Sequence, residues 1–80
     1  MGRKPRPKPQ RLAAKLLALR KGLNLSQPKC GQLLGIAYHR LSEFERGRRE
    51  PNVMLLLQYA RLAKVPVENL INDNLDLPNA

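Results

Sequence analysis

The sequence predicts a small all-α protein, and three observations lead to this prediction. Apolar residues recur at intervals of three and four in several stretches, no segment alternates apolar and polar residues as a strand would, and Ser, Asn, Gly and Pro stand where helices would begin and end. A chain of 80 residues with 42% apolar composition makes one domain with a small core. That core is aliphatic, because the chain has one Phe, two Tyr and no Trp.

The net charge of +9 is distributed unevenly along the chain. Residues 1–49 carry thirteen Lys or Arg side chains against two Glu, whereas residues 50–80 carry two basic side chains against four acidic ones. This segregation predicts a positive face and indicates a polyanionic partner such as nucleic acid. The alternative is a basic surface that serves only solubility.

The composition argues against several classes of protein. One cysteine cannot form an internal disulfide, which is typical of a reducing intracellular setting. No apolar run approaches the ~18 residues of a membrane span, and no signal peptide is visible. Cys30 and His39 have no acidic cluster or nucleophile near them in the sequence, so we expect no metal site, no cofactor and no enzymatic activity. The expected location is the cytoplasm, associated with the nucleoid.

The first nine residues differ in composition from the rest. Four basic residues alternate with Pro5, Pro7 and Pro9, and Pro at alternate positions blocks a helix. Since no large apolar residue follows Met1, we expect residues 1–9 to be disordered in isolation. Two interpretations stay open: a basic arm that contacts DNA phosphates or a minor groove, and a solvated tail.

Residues 10–23 predict the first helix, in which Leu12, Leu16, Leu19 and Leu23 form an apolar stripe. Lys15 falls away from this stripe, and Arg20 beside it is a candidate for an internal ion pair.

The stretch from Ser26 to Pro51 predicts two helices joined by a tight turn at Gly35. Ser26 is a good N-cap for the second helix, and Gly31 within it suggests that another helix approaches closely. The residues expected to face inward are Cys30, Leu33 and Leu34. A third helix over 37–46 follows after about three residues, which is the spacing of a helix-turn-helix.

The third helix divides into an apolar and a polar side, and a basic loop follows it. Its apolar residues are Ala37, Leu41 and Phe44. Its outward residues are His39, Ser42, Glu43 and Arg46, with Tyr38 in the first turn. Arg48 and Arg49 follow in the loop. Asn52 caps a fourth helix over 53–64, and a short fifth helix over 67–71 precedes an acidic and apolar tail, residues 72–80. The ordered domain is thus 10–71.

A set of residues at fixed separations carries a family resemblance: Arg20, Leu25-Ser26-Gln27, Gly35-Ile36, Leu41, Phe44-Glu45-Arg46-Gly47, Pro51, Tyr59-Ala60, Val65 and Leu70. Over about residues 12–71 this set resembles the Cro and phage-repressor family of helix-turn-helix domains, also called the XRE family. The resemblance implies a compact five-helix fold whose third helix enters the major groove of double-stranded DNA. Lys64 and Pro66 depart from it, since Gly and Ser are common at those positions.

The resemblance also implies roles for individual residues. Gln27 anchors a phosphate; Tyr38, His39 and Glu43 read base edges, with Arg40 and Ser42 nearby; Gly47, Arg48 and Arg49 hold the sugar-phosphate backbone; and Arg20 pairs with Glu45. We add Arg46 to the DNA-binding residues because it lies on the same outward face. The alternatives are an idle His39, a surface ion pair of Glu43 with Arg40 or Arg46, and a solvated arginine loop.

These residues predict a transcriptional regulator, in particular a repressor, that binds double-stranded DNA sequence-specifically. A two-fold operator would require a homodimer. The surface expected to form it combines the fifth helix and the tail: Val67, Leu70, Ile71, Leu75 and Leu77. Two other functions stay open: an antitoxin-like or adaptor module that binds protein through this apolar end, and sequence-indifferent RNA or nucleoid binding by the basic arm.

Overall fold

The computed structural model describes residues 10–78, and within them the chain forms five α-helices and no strand. The helices are α1 (Leu12–Gly22), α2 (Gln27–Leu34), α3 (Tyr38–Glu45), α4 (Val53–Ala63) and α5 (Glu68–Ile71). The predicted all-α class is confirmed, and every helix begins and ends within two residues of its predicted bounds. The disorder expected for residues 1–9 concerns positions outside the described residues. None of the helices within residues 10–78 has the length and apolar content to cross a membrane.

Two helix starts use the caps that the sequence predicts. The Ser26 hydroxyl accepts a hydrogen bond from the Lys29 amide at 3.2 Å, and the Asn52 side-chain oxygen accepts one from the Leu55 amide at 2.8 Å. Each bond satisfies an amide that has no partner inside its helix. Helix α3 lacks such a cap, because its N-cap residue is Ala37.

Two glycines set the distance between α2 and α3. Gly35 ends α2 in the left-handed conformation, at φ 74°, which other residues adopt at a cost. Gly31 faces the turn, and a Cβ there would lie 2.8 Å from the Ile36 carbonyl oxygen and 3.4 Å from the Tyr38 Cα. The expected close approach is therefore confirmed: the start of α3 packs directly on the backbone of α2.

The core draws on all five helices. Its buried apolar residues are Leu12, Leu16, Cys30, Leu34, Leu41, Phe44, Leu55, Leu56, Tyr59, Ala60 and Leu70. Two expectations about it were wrong. Leu33 is 51% exposed, because Cys30, Gly31 and Leu34 take the inner face of α2. Leu23 is 38% exposed, because α1 ends one residue before it.

Lys15 was expected on the outer side of α1, and it is instead 3% exposed. Its ammonium group donates to three backbone carbonyls: Asn69 at 2.7 Å, Asn72 at 2.8 Å and Leu75 at 2.7 Å. Burial, and then the nearby charge of Arg11, lower the pKa of Lys15 from its ordinary value. The three carbonyls replace the hydrogen bonds that the ammonium group would make to water, and this allows a charged group to be buried.

The end of the chain also differs from expectation. Residues 72–78, here called the C-terminal strap, lie outside the expected ordered domain but fold back over α1, and Leu77 packs against the core. Leu70, expected on a dimer surface, is 0% exposed because it fills the core of the single chain. Ile71 beside it is 44% exposed. Lys64, which replaces a common Gly, ends α4 in the left-handed conformation at φ 58°, and this explains why Gly is common there.

Candidate nucleic-acid interface

The outer face of α3 and the loop after it form one polar surface. Leu41 and Phe44 fix the inner side of the helix, since they are 0% and 4% exposed. The predicted DNA-binding residues at positions 38–46 all reach solvent: Tyr38, His39, Arg40 and Arg46 are exposed, and Ser42 and Glu43 are half-buried. Together these side chains offer donors, acceptors and an aromatic ring that could enter a groove.

Two aromatic residues support each other at the start of this surface. The rings of Tyr38 and His39 stand edge to face, with centroids 6.1 Å apart and an interplanar angle of 79°. This arrangement is a favourable one for aromatic pairs. Tyr38 is 56% exposed even so, and the contact therefore orients the two side chains without removing them from solvent.

Glu43 pairs with the loop rather than with its own helix. The Arg49 Nε lies 3.0 Å from a Glu43 carboxylate oxygen. The sequence-based alternative named Arg40 or Arg46, three residues away on either side, so the partner was predicted wrongly. Both side chains are partly exposed, at 60% for Arg49 and 38% for Glu43, and such a pair contributes little to stability. Its effect is on position: it holds one arginine of the loop against the outward face of α3.

A buried ion pair holds α3 in place from behind. The Arg20 guanidinium on α1 donates to both carboxylate oxygens of Glu45, at 2.7 and 3.1 Å, as the sequence predicts. It also donates to the Leu25 carbonyl at 2.8 Å, which fixes the segment that leads into α2. The Glu45 side chain is only 4% exposed. The hydrogen bond to Glu45 raises the pKa of Arg20, so this cation stays charged.

Gln27 belongs to the same network. Its side-chain amide donates to Glu45 at 3.1 Å, and the residue is half-buried at the first position of α2. Glu45 of α3 therefore orients the Gln27 side chain, which is the side chain predicted to contact a phosphate. The sequence-based prediction omitted a basic neighbour, Lys29, which is exposed in the same first turn. The sequence itself could have indicated Lys29, because a cation in the first turn of a helix whose N-terminus faces DNA can reach the same phosphate as Gln27.

The arginine loop, residues 47–50, lies beside the start of α1. Gly47 takes a left-handed conformation at φ 76°, which reverses the chain after α3. Arg48 and Arg49 are exposed, and together with Gln10, Leu12 and Ala13 they line an open cleft of about 440 Å³. The positive charge of the loop and the beginning of α1 thus share one edge of the molecule.

Two helices meeting through a glycine turn, with the second presented outward, define a helix-turn-helix unit. The family comparison agrees: a model described as Helix-turn-helix matches residues 16–70. The chain therefore belongs to the helix-turn-helix family, and the resemblance to Cro and phage repressors is confirmed. No curated protein sequence matches the chain significantly.

Several solved structures share the fold. The P22 c2 repressor in complex with a synthetic operator is 26% identical, with a TM-score of 0.72 over 78% of this chain and 94% of that chain. The clp gene regulator ClgR from Corynebacterium glutamicum is 25% identical, with a TM-score of 0.71 over 82% and 71%. The restriction-modification controller protein C.AhdI from Aeromonas hydrophila, at 24% identity, shows the same fold with a TM-score of 0.70 over 76% and 92%.

Proposed function

We propose that this protein is a sequence-specific, double-stranded DNA-binding transcriptional regulator that places α3 in the major groove. The observation that carries the proposal is the outward face of α3, flanked by the arginine loop and held by the buried Arg20–Glu45 pair. Membership in the helix-turn-helix family and the likeness to the P22 c2 repressor bound to an operator support it. Repression is the form of regulation we favour.

Affinity and sequence choice divide between two groups of residues. The cations Arg48, Arg49 and Lys29 supply phosphate contacts, which release counterions and carry no sequence information. Tyr38, His39 and Arg40 supply donors and acceptors for base edges, and His39 or Arg40 suits the acceptors of a purine. Gln27 joins the two groups, because Glu45 orients it at the start of α2.

The decisive experiment measures duplex binding as a function of salt. A preferred site is first selected from random duplexes, and binding to it is followed by fluorescence anisotropy. Arg48→Ala should weaken binding and lower the salt slope by about 0.9 for each phosphate that the variant no longer neutralises. Arg61→Ala is the matched control, since Arg61 is an exposed cation on α4 outside the site. Selection of no preferred site, or equal slopes for both variants, would overturn the proposal.

Glu43 has two roles that one measurement separates. As a base reader it accepts from a cytosine amino group; as a partner of Arg49 it only sets the position of a phosphate contact. We favour the second role, because the carboxylate is already paired and an anion at this face is repelled by phosphates. Glu43→Gln should then change affinity by a similar factor for all sites. A changed base preference at one position of the selected site would show the first role instead.

We further propose that the protein binds a two-fold site as a homodimer. The surface differs from the sequence-based one, because Leu70 is buried; Ile71 is the accessible apolar residue, with Val67 and Leu75 half-buried beside it. Ile71→Glu should abolish cooperative binding to two half-sites about 34 Å apart and leave half-site affinity unchanged. Unaltered cooperativity would exclude this surface. The antitoxin-like alternative loses its main support, since Leu70 and Leu77 pack against the protein's own core.

A further inference from the structure

The surface proposed for the homodimer combines two short pieces of chain. Val67 is the N-cap residue of α5 and Ile71 is its last residue, and this helix has only four residues and no side-chain capping bond at its start. Leu75 belongs to the C-terminal strap, which follows α5 directly. A single helical turn is unstable in isolation, because too few hydrogen bonds offset the cost of ordering it. Both pieces therefore depend on another element to hold them.

That element is α1, and Lys15 is the residue that holds both pieces. Its buried ammonium group donates to the carbonyls of Asn69 in α5, Asn72 at the end of α5 and Leu75 in the strap, at 2.7, 2.8 and 2.7 Å. The last carbonyls of a helix lack partners inside it, and a Lys side chain can supply the missing donor. Lys15 thus caps α5 and fixes the backbone of Leu75 with the same group.

Arg11, one turn earlier on α1, holds the strap on both sides of Leu75. Its guanidinium donates to the Asp73 carbonyl at 2.8 Å and to the Asp76 carboxylate at 2.6 Å. The Asp73 carboxylate in turn accepts hydrogen bonds from the amides of Gln10 and Arg11, at 2.8 and 3.0 Å, and so caps the start of α1. The pair of Arg11 with Asp76 is exposed, and such a pair contributes little to the stability of a domain. It can therefore be broken without unfolding the protein.

We propose that Arg11 and Lys15 are positioning residues for the homodimer: from α1 they hold Ile71 and Leu75 in the arrangement that a second copy of the chain binds. This inference rests on the proposed function. A surface that is ordered before association loses less conformational entropy on binding than one that must become ordered at that moment. Loosening the strap weakens the contact between two copies. It leaves the reading of a half-site intact, because α3 is held by the separate Arg20–Glu45 pair.

The test compares binding to one half-site with cooperative binding to two half-sites about 34 Å apart, by fluorescence anisotropy on the full chain. Arg11→Gln and Asp76→Asn each break the exposed pair, but they change the net charge in opposite directions. A general effect of charge on DNA binding has opposite signs in the two variants, whereas a loss of positioning lowers cooperativity in both. Lys21→Gln is the matched control, since it removes an exposed cation from the other end of α1.

The expected result is a cooperativity factor about two- to fivefold lower in both pair variants, as the loss of an exposed ion pair implies, and unchanged in Lys21→Gln. In an Ile71→Glu background, which already lacks cooperativity, neither variant should have a further effect. Lys15→Met should abolish cooperativity, and if circular dichroism shows that it is unfolded, the two pair variants decide. Unchanged cooperativity in Arg11→Gln and Asp76→Asn, or opposite changes in the two, would overturn the positioning role.

Failure of the proposed function gives a different pattern. A parent protein that binds no duplex contradicts DNA binding itself, and the inference falls with it. A parent that binds single half-sites without cooperativity is not a homodimer on DNA. That result overturns the positioning role and leaves sequence-specific DNA binding in place.

Discussion

The charged ammonium group of Lys15 is buried in the folded protein. Its three carbonyl partners lie 54, 57 and 60 residues away in the sequence. A helical wheel of α1 cannot reveal them, because backbone carbonyls leave no trace in a sequence pattern. The same wheel correctly placed Leu12 and Leu16 in the core, since apolar burial depends on the periodicity of the helix itself.

Replacing Lys15 should destabilise the protein strongly. Lys15→Met keeps most of the alkyl chain but removes the donor from three carbonyls, and charge-assisted bonds of this kind contribute substantially when buried. We expect the free energy of unfolding to fall by about 3 kcal/mol in urea denaturation. Lys21→Met, at an exposed position of the same helix, should change it by less than about 0.5 kcal/mol. Equal effects of the two variants would mean that the bonds to the strap do not stabilise the fold.

Among the elements, α3 depends most on one side chain at its end. Glu45 contacts Arg20 of α1 and Gln27 of α2, so it links three helices at one carboxylate. Glu45→Ala leaves the Arg20 charge buried without its partner, and we expect a loss of about 3–5 kcal/mol in the free energy of unfolding. Glu43→Ala, two residues earlier and more exposed, should cost no more than about 1 kcal/mol. Similar losses of unfolding free energy for Glu45→Ala and Glu43→Ala would show that the buried pair contributes no more to stability than the exposed one.

The packing of α2 on α3 predicts opposite outcomes for two glycines. Gly31→Ala gains about 1 kcal/mol of helix propensity but brings its Cβ within 2.8 Å of a backbone carbonyl oxygen. The backbone must then shift, and we expect a net loss of about 1–3 kcal/mol. Gly22→Ala meets no atom within 4 Å and should stabilise the protein by about 0.5 kcal/mol. Thermal denaturation of both variants decides this, and a stabilised Gly31→Ala would contradict the close contact.

The sequence predicts a feature of an element well when the interacting residues are close together in the sequence, and poorly when they are far apart. The Ser26 and Asn52 caps and the Gly35 turn were predicted correctly, because each depends on residues at most three positions apart. Leu33 was predicted wrongly, because the inward direction of so short a helix depends on how it sits against α3. The partner of Glu43 was missed for a related reason: Arg49 lies beyond the end of the helix, where helical spacing no longer applies.

At the scale of the molecule, the distribution of charge on the folded surface differs from its distribution along the sequence. The excess of acidic residues from Glu50 onward suggested a separate neutral-to-acidic region. Asp73 and Asp76 instead lie at the start of α1, where they neutralise Arg11 and oppose the charge of Lys15. The positive surface is consequently narrower than the first 49 residues suggest. Within residues 10–78, the exposed cations of α3, the start of α2 and the arginine loop belong to the surface proposed to face DNA.

The same contacts predict how stability depends on pH. Hydrogen bonds from the Gln10 and Arg11 amides lower the pKa of Asp73, and the hydrogen bond from Arg11 lowers the pKa of Asp76. Both carboxyls start from an ordinary pKa of 3.8 in the unfolded chain. A group with a lowered folded pKa contributes stability that is fully present above its unfolded pKa and is lost as the pH falls through the folded value.

The strap should therefore weaken on the acid side, below about pH 4. Thermal unfolding followed by circular dichroism between neutral pH and about pH 2 should show a steeper fall of the melting temperature for the parent than for Asp73→Asn/Asp76→Asn. The variant starts lower at neutral pH, because it lacks the charged cap, and the two curves converge as the parent's carboxyls take up protons. Parallel curves over the whole range would mean that these two carboxyls bind no additional protons on unfolding, and that their contacts with Gln10 and Arg11 do not stabilise the strap.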